Sequence, residues 1–519
     1  MGLEAFSLVS TAGRLYEQAT VPRCTPSSRP PNILLTLQIR AAYFHFTLNG
    51  NINLTGLLEQ AARNWPHQPA LIEGDSVLTY AALLTEVHVW AERFSAHEIT
   101  PGQRVGLSFP NGLRYVALTY ALWRLQAVVI PVPTECTEAE ADEIAHTLQL
   151  DAIVSEKPRA GAASIALTSD CFLTKLSTPA PADHHGLDIA FIRFTSGTTS
   201  ARKGVVLTHA TIRDRIAAAN RALHITSADT VIWCLPMSHH FLVTIVLYLA
   251  QGATVVLARH VLAAPFLEAV NRWNGTVLYA SPFHFGLLAR DRSEVLMPSV
   301  RLAVSTTCPL PEDVAMEFQQ RFNLPLSQAL GVIELGLVSV NTADAAGRWN
   351  SVGRPLAPFE VQILAPDDAG CGELAVRGPG MCDAYAAPWC PRERFAPDGW
   401  FRTGDIARLD DDGFLFLLSR KKAVINLAGR KVFPEEIETV LNRHPAVRES
   451  RAYGRAHPHL GEVIEAELVL EDGATDLDDV RAFCREHLAS YKIPARLHVV
   501  AALPRTAVTG KIRREAVPA

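Results

Sequence analysis

The sequence is short of the features that would place it outside the ordinary enzymes. Its nine cysteines form no C-x-x-C pair and no metal-ligand spacing, which excludes a disulfide scaffold or a structural zinc site and reads as reduced thiols in a cytoplasmic protein. No apolar stretch reaches membrane-spanning length; Leu242 to Ala258 comes nearest, and Gln251-Gly252 interrupts it. A net charge of -5 leaves no basic excess for a nucleic-acid backbone, so no nucleic-acid partner is expected. Hydrophobic content of 48% against 19% charged residues excludes a disordered chain. The first residues lack a secretory apolar core, Glu4 and Glu17 argue against a transit peptide, and Phe6 stands where a myristoylation signal needs Ser or Thr. With Pro22, Pro26, Pro30, Pro31 and Ser27-Ser28, residues 1–48 read as a poorly ordered leader.

What the chain does have begins with length. At 519 residues it exceeds one ordinary core, so two or more domains are expected. From about Leu54, short apolar strands alternate with helical patterns. Strands are expected at Ala70–Ile72, Val105–Ser108 and Ala127–Val132, with helices at Leu57–Asn64 and from Tyr80 toward His97, the latter capped by Thr79. The same grammar returns further on: helices Ile212–Leu223, Phe241–Leu249, Pro282–Arg290 and Pro311–Phe322, and strands Val231–Leu235, Thr254–Leu257, Val277–Tyr279 and Leu302–Ser305. Two sheet-based α/β subdomains follow from that repetition. From Val361 the pattern turns to antiparallel β, giving a small barrel-like part. After Arg420-Lys421-Lys422 it becomes a small α+β domain with helices opening at Pro434 and Asp478. The expected division is a core over 49–418, a hinge at 419–422 and a mobile lid over 423–519.

Between the two halves lies Thr195-Ser196-Gly197-Thr198-Thr199-Ser200-Ala201-Arg202-Lys203-Gly204, with β-prone residues on both sides. Glycine permits close backbone approach, hydroxyls and amides donate hydrogen bonds, and Lys203 supplies a cation, so the loop suits phosphate. It is not a Walker loop, since Lys203 precedes Gly204 and a strand follows. Five further stretches follow in order: Pro236-Met237-Ser238-His239, Gly331-Val332-Ile333-Glu334, Phe401-Arg402-Thr403-Gly404-Asp405, Gly429 to Pro434, and Pro504 to Lys511. Taken singly, Asp405 is a turn residue, Glu334 a helix cap, Lys511 part of a solvated basic tail, and His239-His240 core histidines. Together, over roughly Leu54 to the end, they resemble the adenylate-forming superfamily, and acyl-CoA synthetases most closely.

That resemblance implies an enzyme activating a small-molecule carboxylic acid with ATP and Mg2+ as acyl-AMP, then passing the acyl group to CoA. Residue by residue it implies phosphate contacts from Thr195, Ser196, Gly197, Thr198, Thr199 and Lys203, and ribose contacts from Asp405 and Arg420. It implies Glu334 as Mg2+ ligand, Lys511 as the lid's catalytic cation, Lys422 as hinge, and Gly429 lining the pantetheine passage. The acid is expected to be mid-sized and largely apolar, aryl or medium-chain, walled by His239, Ala280, Thr306, Gly331 and Val338. The chain departs from the pattern in its adenine loop, Thr306-Thr307-Cys308-Pro309, in Leu330 where an aromatic stacks on adenine, and in Ile333 where a threonine precedes the metal-binding glutamate. An absent aromatic stack removes about 0.5–1.5 kcal/mol, so reshaped nucleotide binding and a divergent subgroup, as in secondary metabolism, are expected. Gly429 and the compact interval from Gly353 to Gly372 favour CoA over the acyl-AMP ligases that carry an insertion. The alternatives are a stand-alone enzyme loading an acyl or peptidyl carrier protein's phosphopantetheine thiol, and a nucleotide-binding pseudoenzyme.

Overall fold

Strand propensity and amphipathic periodicity are realised as mixed sheets, with helices covering the mainly parallel ones. The structure, a computed structural model, describes residues 53–177, 186–194, 203–258, 262–427, 430–457, 461–471, 477–505 and 512. The leader, loop residues Thr195 to Thr199, Gly429 and Lys511 lie outside these residues.

The first sheet has eight strands in the spatial order 336–340, 326–332, 302–305, 277–280, 230–233, 254–257, 69–73, 76–79. Its six central strands run parallel, and an antiparallel strand closes each edge. The second has nine strands, with a parallel centre (189–194, 128–131, 104–108, 152–155) flanked by antiparallel strands, among them Gly204–Thr208 and Ala384–Ala386. A third, four-stranded antiparallel sheet uses 360–364, 372–377, 401–409 and 415–420. A fourth, of five strands, lies wholly within 425–499. The α/β class and the shift to antiparallel β after Val361 are therefore as the sequence implied.

One helix ties the first two sheets together. Leu113–Arg124 has nine consecutive buried residues, Tyr115 to Trp123, so it is apolar all round, as a helix covered on every side must be. Trp123 Nε1 donates to the Ala190 carbonyl of the second sheet at 2.8 Å, while Tyr115 and Trp123 pack on Phe241 from beyond the first sheet, with centroids 5.5 and 6.0 Å apart. Asn111, just before this helix, accepts from Met237 N at 2.7 Å and donates to the Leu235 carbonyl at 2.8 Å, fixing the turn that carries His239.

The expected helix over Phe241–Leu249 is corrected. It is two pieces, Met237–His240 and Ile245–Ala250, because Thr244 leaves helical geometry at φ -130, ψ -82 and spends its hydroxyl on the His240 carbonyl. Helix Glu138–Thr147, with its Thr137–Glu140 capping box, went unread, as did the hairpin 326–340.

His209 opens helix His209–Leu223 and is 1% exposed; its Nδ1 accepts the Leu54 amide at 3.2 Å and Trp123 meets its ring edge-on. Burial pulls its pKa from 6.5 down to about 4, against the opposing pull of Asp188. Between those values the unfolded chain binds the proton that the folded chain refuses. Stability should therefore fall as pH drops from about 6.5 toward 4, by up to about 3 kcal/mol. Denaturant unfolding across that window checks this, and His209→Gln should flatten that part of the profile.

Candidate active site

The parallel strands of the first sheet end on one edge, where open α/β sheets place their ligands. After Thr230–Trp233 comes the turn holding His239; after Val277–Ala280, Ala280 itself; after Leu302–Ser305, Thr306 and Thr307; and at the end of Leu326–Val332, Leu330 and Gly331. Glu334 occupies the turn between 326–332 and 336–340. The Thr306 amide donates to the Ala280 carbonyl at 3.0 Å, so the altered adenine loop starts flush against the neighbouring strand. Thr307 takes φ +81, a left-handed conformation rare for a β-branched residue. His239 Nδ1 shares a 2.8 Å hydrogen bond with Ser238 Oγ.

Not all expected walls fall together. Gly331 is exposed, and a Cβ there would meet only the Gly336 carbonyl at 3.9 Å, leaving room beside it. Ala280 and Val338 are fully buried and pack into different core clusters, Val338 with Leu330 and Ala280 with Phe285. Leu330 is itself mostly buried, so it lies in the core where the resemblance expects a ring against adenine.

The second sheet supplies what the sequence reading missed. Strand Ala384–Ala386 pairs with Gly204–Thr208, and Tyr385, opposite Val205, donates its hydroxyl to Glu334 Oε1 at 3.0 Å. Burial and the adjacent Glu334 carboxylate hold that phenol protonated far above its ordinary range, so Tyr385 is the donor. Lys203 Nζ lies 4.9 Å from the Tyr385 ring centroid, a cation–π contact. Thus Lys203 and Glu334, 131 positions apart by their numbers, meet through one tyrosine. The signal in the sequence was a single aromatic between alanines, too common to single out.

The third sheet carries Asp405 and Arg420 as cross-strand partners, with Arg420 Nε 2.9 Å from Asp405 Oδ1. Asp405 is buried, and its amide is held by Thr403 Oγ1 at 3.0 Å. Ring contacts Tyr385–Phe395 (4.8 Å) and Phe395–Phe401 (6.2 Å) lead from the glutamate's partner to the Asp405 strand. Lys422 is exposed in the 3-10 turn Lys421–Ala423, between the third and fourth sheets.

The sequence matches the AMP-binding enzyme family over residues 58–386 and the AMP-binding enzyme C-terminal domain over 436–511. The chain belongs to the AMP-binding enzymes. Among curated members, oxalate–CoA ligase of Arabidopsis thaliana is 30% identical over 504 residues, covering 89% of this chain and 98% of that protein. Sulfoacetate–CoA ligase of Cupriavidus necator is 29% identical, covering 89% and 96%. Among solved structures, o-succinylbenzoate–CoA synthetase of Bacillus subtilis with its acyl-adenylate intermediate superposes with a TM-score of 0.77 at 26% identity, covering 88% of this chain and 96% of that one. The resemblance read from the motifs is borne out, and the AMP-binding fold accounts for the edge on which the site residues gather.

A hydrogen bond to a charged group contributes about 1.5–3 kcal/mol. Tyr385→Phe should therefore cost stability of that order, lowering the melting temperature, and should lower turnover by roughly tenfold to a hundredfold. Steady-state kinetics beside a thermal scan checks this.

Proposed function

We propose that the chain is an ATP-dependent acid–thiol ligase that forms an acyl-adenylate and then an acyl-CoA. The observation carrying this reading is the meeting of Glu334 and Lys203 on Tyr385, at the carboxyl edge of the first sheet of an AMP-binding enzyme. In the first step a carboxylate oxygen bonds to the α-phosphorus and the bond to pyrophosphate breaks. The developing negative charge needs cations already in place, because little else lowers such a barrier. Lys203, from the end of the Ser/Thr loop, and Lys511, from the lid, are the residues assigned to it. Asp405 and Arg420, already paired, are assigned to the ribose hydroxyls, with Asp405 accepting. In the second step the thiol sulfur attacks the acyl carbon and AMP leaves.

Mg2+ fits the carboxylate of Glu334. That ion is usually held by one or two protein carboxylates plus substrate phosphates, so a single glutamate suffices. When bound it would neutralise phosphate charge. CoA as acceptor is supported by the relatives, which are named as CoA ligases acting on oxalate, sulfoacetate and o-succinylbenzoate. Gly429 and the hinge at Lys422 keep the roles the resemblance gives them. Lys422 lies where a few backbone dihedrals can reorient everything after residue 423.

The test is pyrophosphate release from ATP over a panel of carboxylic acids, then thioester formation on adding CoA or a carrier protein. Lys511→Ala should lower adenylate formation by a few hundredfold, about 3–4 kcal/mol, with ATP binding largely spared. Unchanged pyrophosphate release in that variant would remove Lys511 from the mechanism. Thioester formation on a carrier protein and none on CoA would move the assignment to the carrier-loading alternative.

A further inference from the structure

Two arginines with no part in the mechanism above feel the charge of Glu334. Arg193 interrupts the apolar strand Ile189–Phe194 two residues before the Ser/Thr loop. Arg215 lies on helix His209–Leu223 at the spacing of its buried face, with Ile212, Ile216 and Ala219. Its side chain is 3% exposed and reaches between two backbone segments. Nε donates to the Gly380 carbonyl at 2.6 Å and Nη1 to the Ile333 carbonyl at 2.9 Å. The first segment runs on to Tyr385; the second is the turn that carries Glu334. A third bond closes the loop, since the Cys382 amide donates to the Glu334 carbonyl at 2.6 Å.

The arginine's path is built for it. Gly336 (φ +91) and Gly380 (φ +81) both face its stem, and a Cβ at either would stand 3.0 and 2.5 Å from it respectively, so side chains there would displace the guanidinium. Its remaining nitrogen, Nη2, is buried without a hydrogen-bond partner among the described residues. A buried, unspent guanidinium donor is costly unless an anion or an anion's holder makes use of it. Burial lowers the guanidinium pKa of both arginines to about 10, and Glu334 acts on each in the opposite direction. Both remain charged at neutral pH, so two cations act on one carboxylate.

From this geometry we infer that Arg215 is a positioning residue for the reaction: it clamps the Ile333 and Gly380 carbonyls so that Glu334 and Tyr385 are held in register for the Mg2+–nucleotide complex. The inference rests on the reading of Glu334 given above. It also bears on Ile333, where the usual threonine hydroxyl is absent: here the same residue's carbonyl, tied to Arg215, does the fixing.

Two variants test it, Arg215→Lys, which keeps charge and reach, and Arg215→Met, which keeps only the stem. Each is compared with the full-length wild-type chain by thermal unfolding, by calorimetric titration with ATP at a series of Mg2+ concentrations, and by pyrophosphate release. In folded Arg215→Met, the Mg2+ concentration giving half-maximal nucleotide binding should rise about tenfold. Turnover should fall tenfold or more with the Michaelis constant for the acid unchanged, and Arg215→Lys should recover part of both. Nucleotide binding with unchanged Mg2+ dependence in folded Arg215→Met overturns the proposal. So does failure of both variants to fold, which would make Arg215 a purely structural residue. Failure of the ligase reading itself is seen separately, as wild type that binds ATP but releases no pyrophosphate with any acid of the panel.

Discussion

The hydrogen bond from Tyr385 to Glu334 is the joint on which this site depends. Glu334 belongs to a hairpin on the edge of one sheet, Tyr385 to a short strand added to another. A carboxylate held from one side alone would swing with its own turn; held from both, it reports the relative position of the two sheets. Packing behind it makes that position hard to change. The helix Leu113–Arg124, buried from Tyr115 to Trp123, touches both sheets through Trp123 and Phe241, and interiors at crystal-like density resist small displacements. The precision with which this carboxylate is held is thus drawn from aromatic packing some distance behind it.

Charge follows the same arrangement. Lys203 rests over the ring whose hydroxyl serves Glu334, so one tyrosine meets a cation on its face and an anion at its tip. A ring in that place can order both groups before a nucleotide arrives, which is what preorganised catalysis of phosphoryl chemistry requires. Arg193 and Arg215 add positive charge around the same carboxylate, inside a region where charges are weakly screened.

The sequence made the class of fold readable because its strands and helices are long in pattern and short in exceptions. Thr79 caps its helix as the sequence implies, its side chain accepting from the Ala82 amide. What failed did so for local reasons. The Phe241–Leu249 segment is apolar throughout, so periodicity could not show the break that Thr244's hydroxyl introduces. The capping box at Thr137 was visible but sits in a charged stretch without a clear apolar face.

At the site, motifs pointed to Glu334, Asp405 and Arg420, whereas Tyr385 and Arg215 carry no such mark. Both act across sequence distance, and only the pairing of strand 384–386 with strand 204–208 brings the tyrosine to the glutamate. Yet Arg215 and Arg193 left a trace: each is a charge at a position whose periodicity calls for an apolar residue. Burying a charge carries a desolvation cost that hydrophobic residues of similar size avoid, and a fold retains such a residue where its hydrogen bonds are needed. An arginine out of pattern on an otherwise apolar face is therefore a better pointer to an active site than the polar loops, where charge is the ordinary condition.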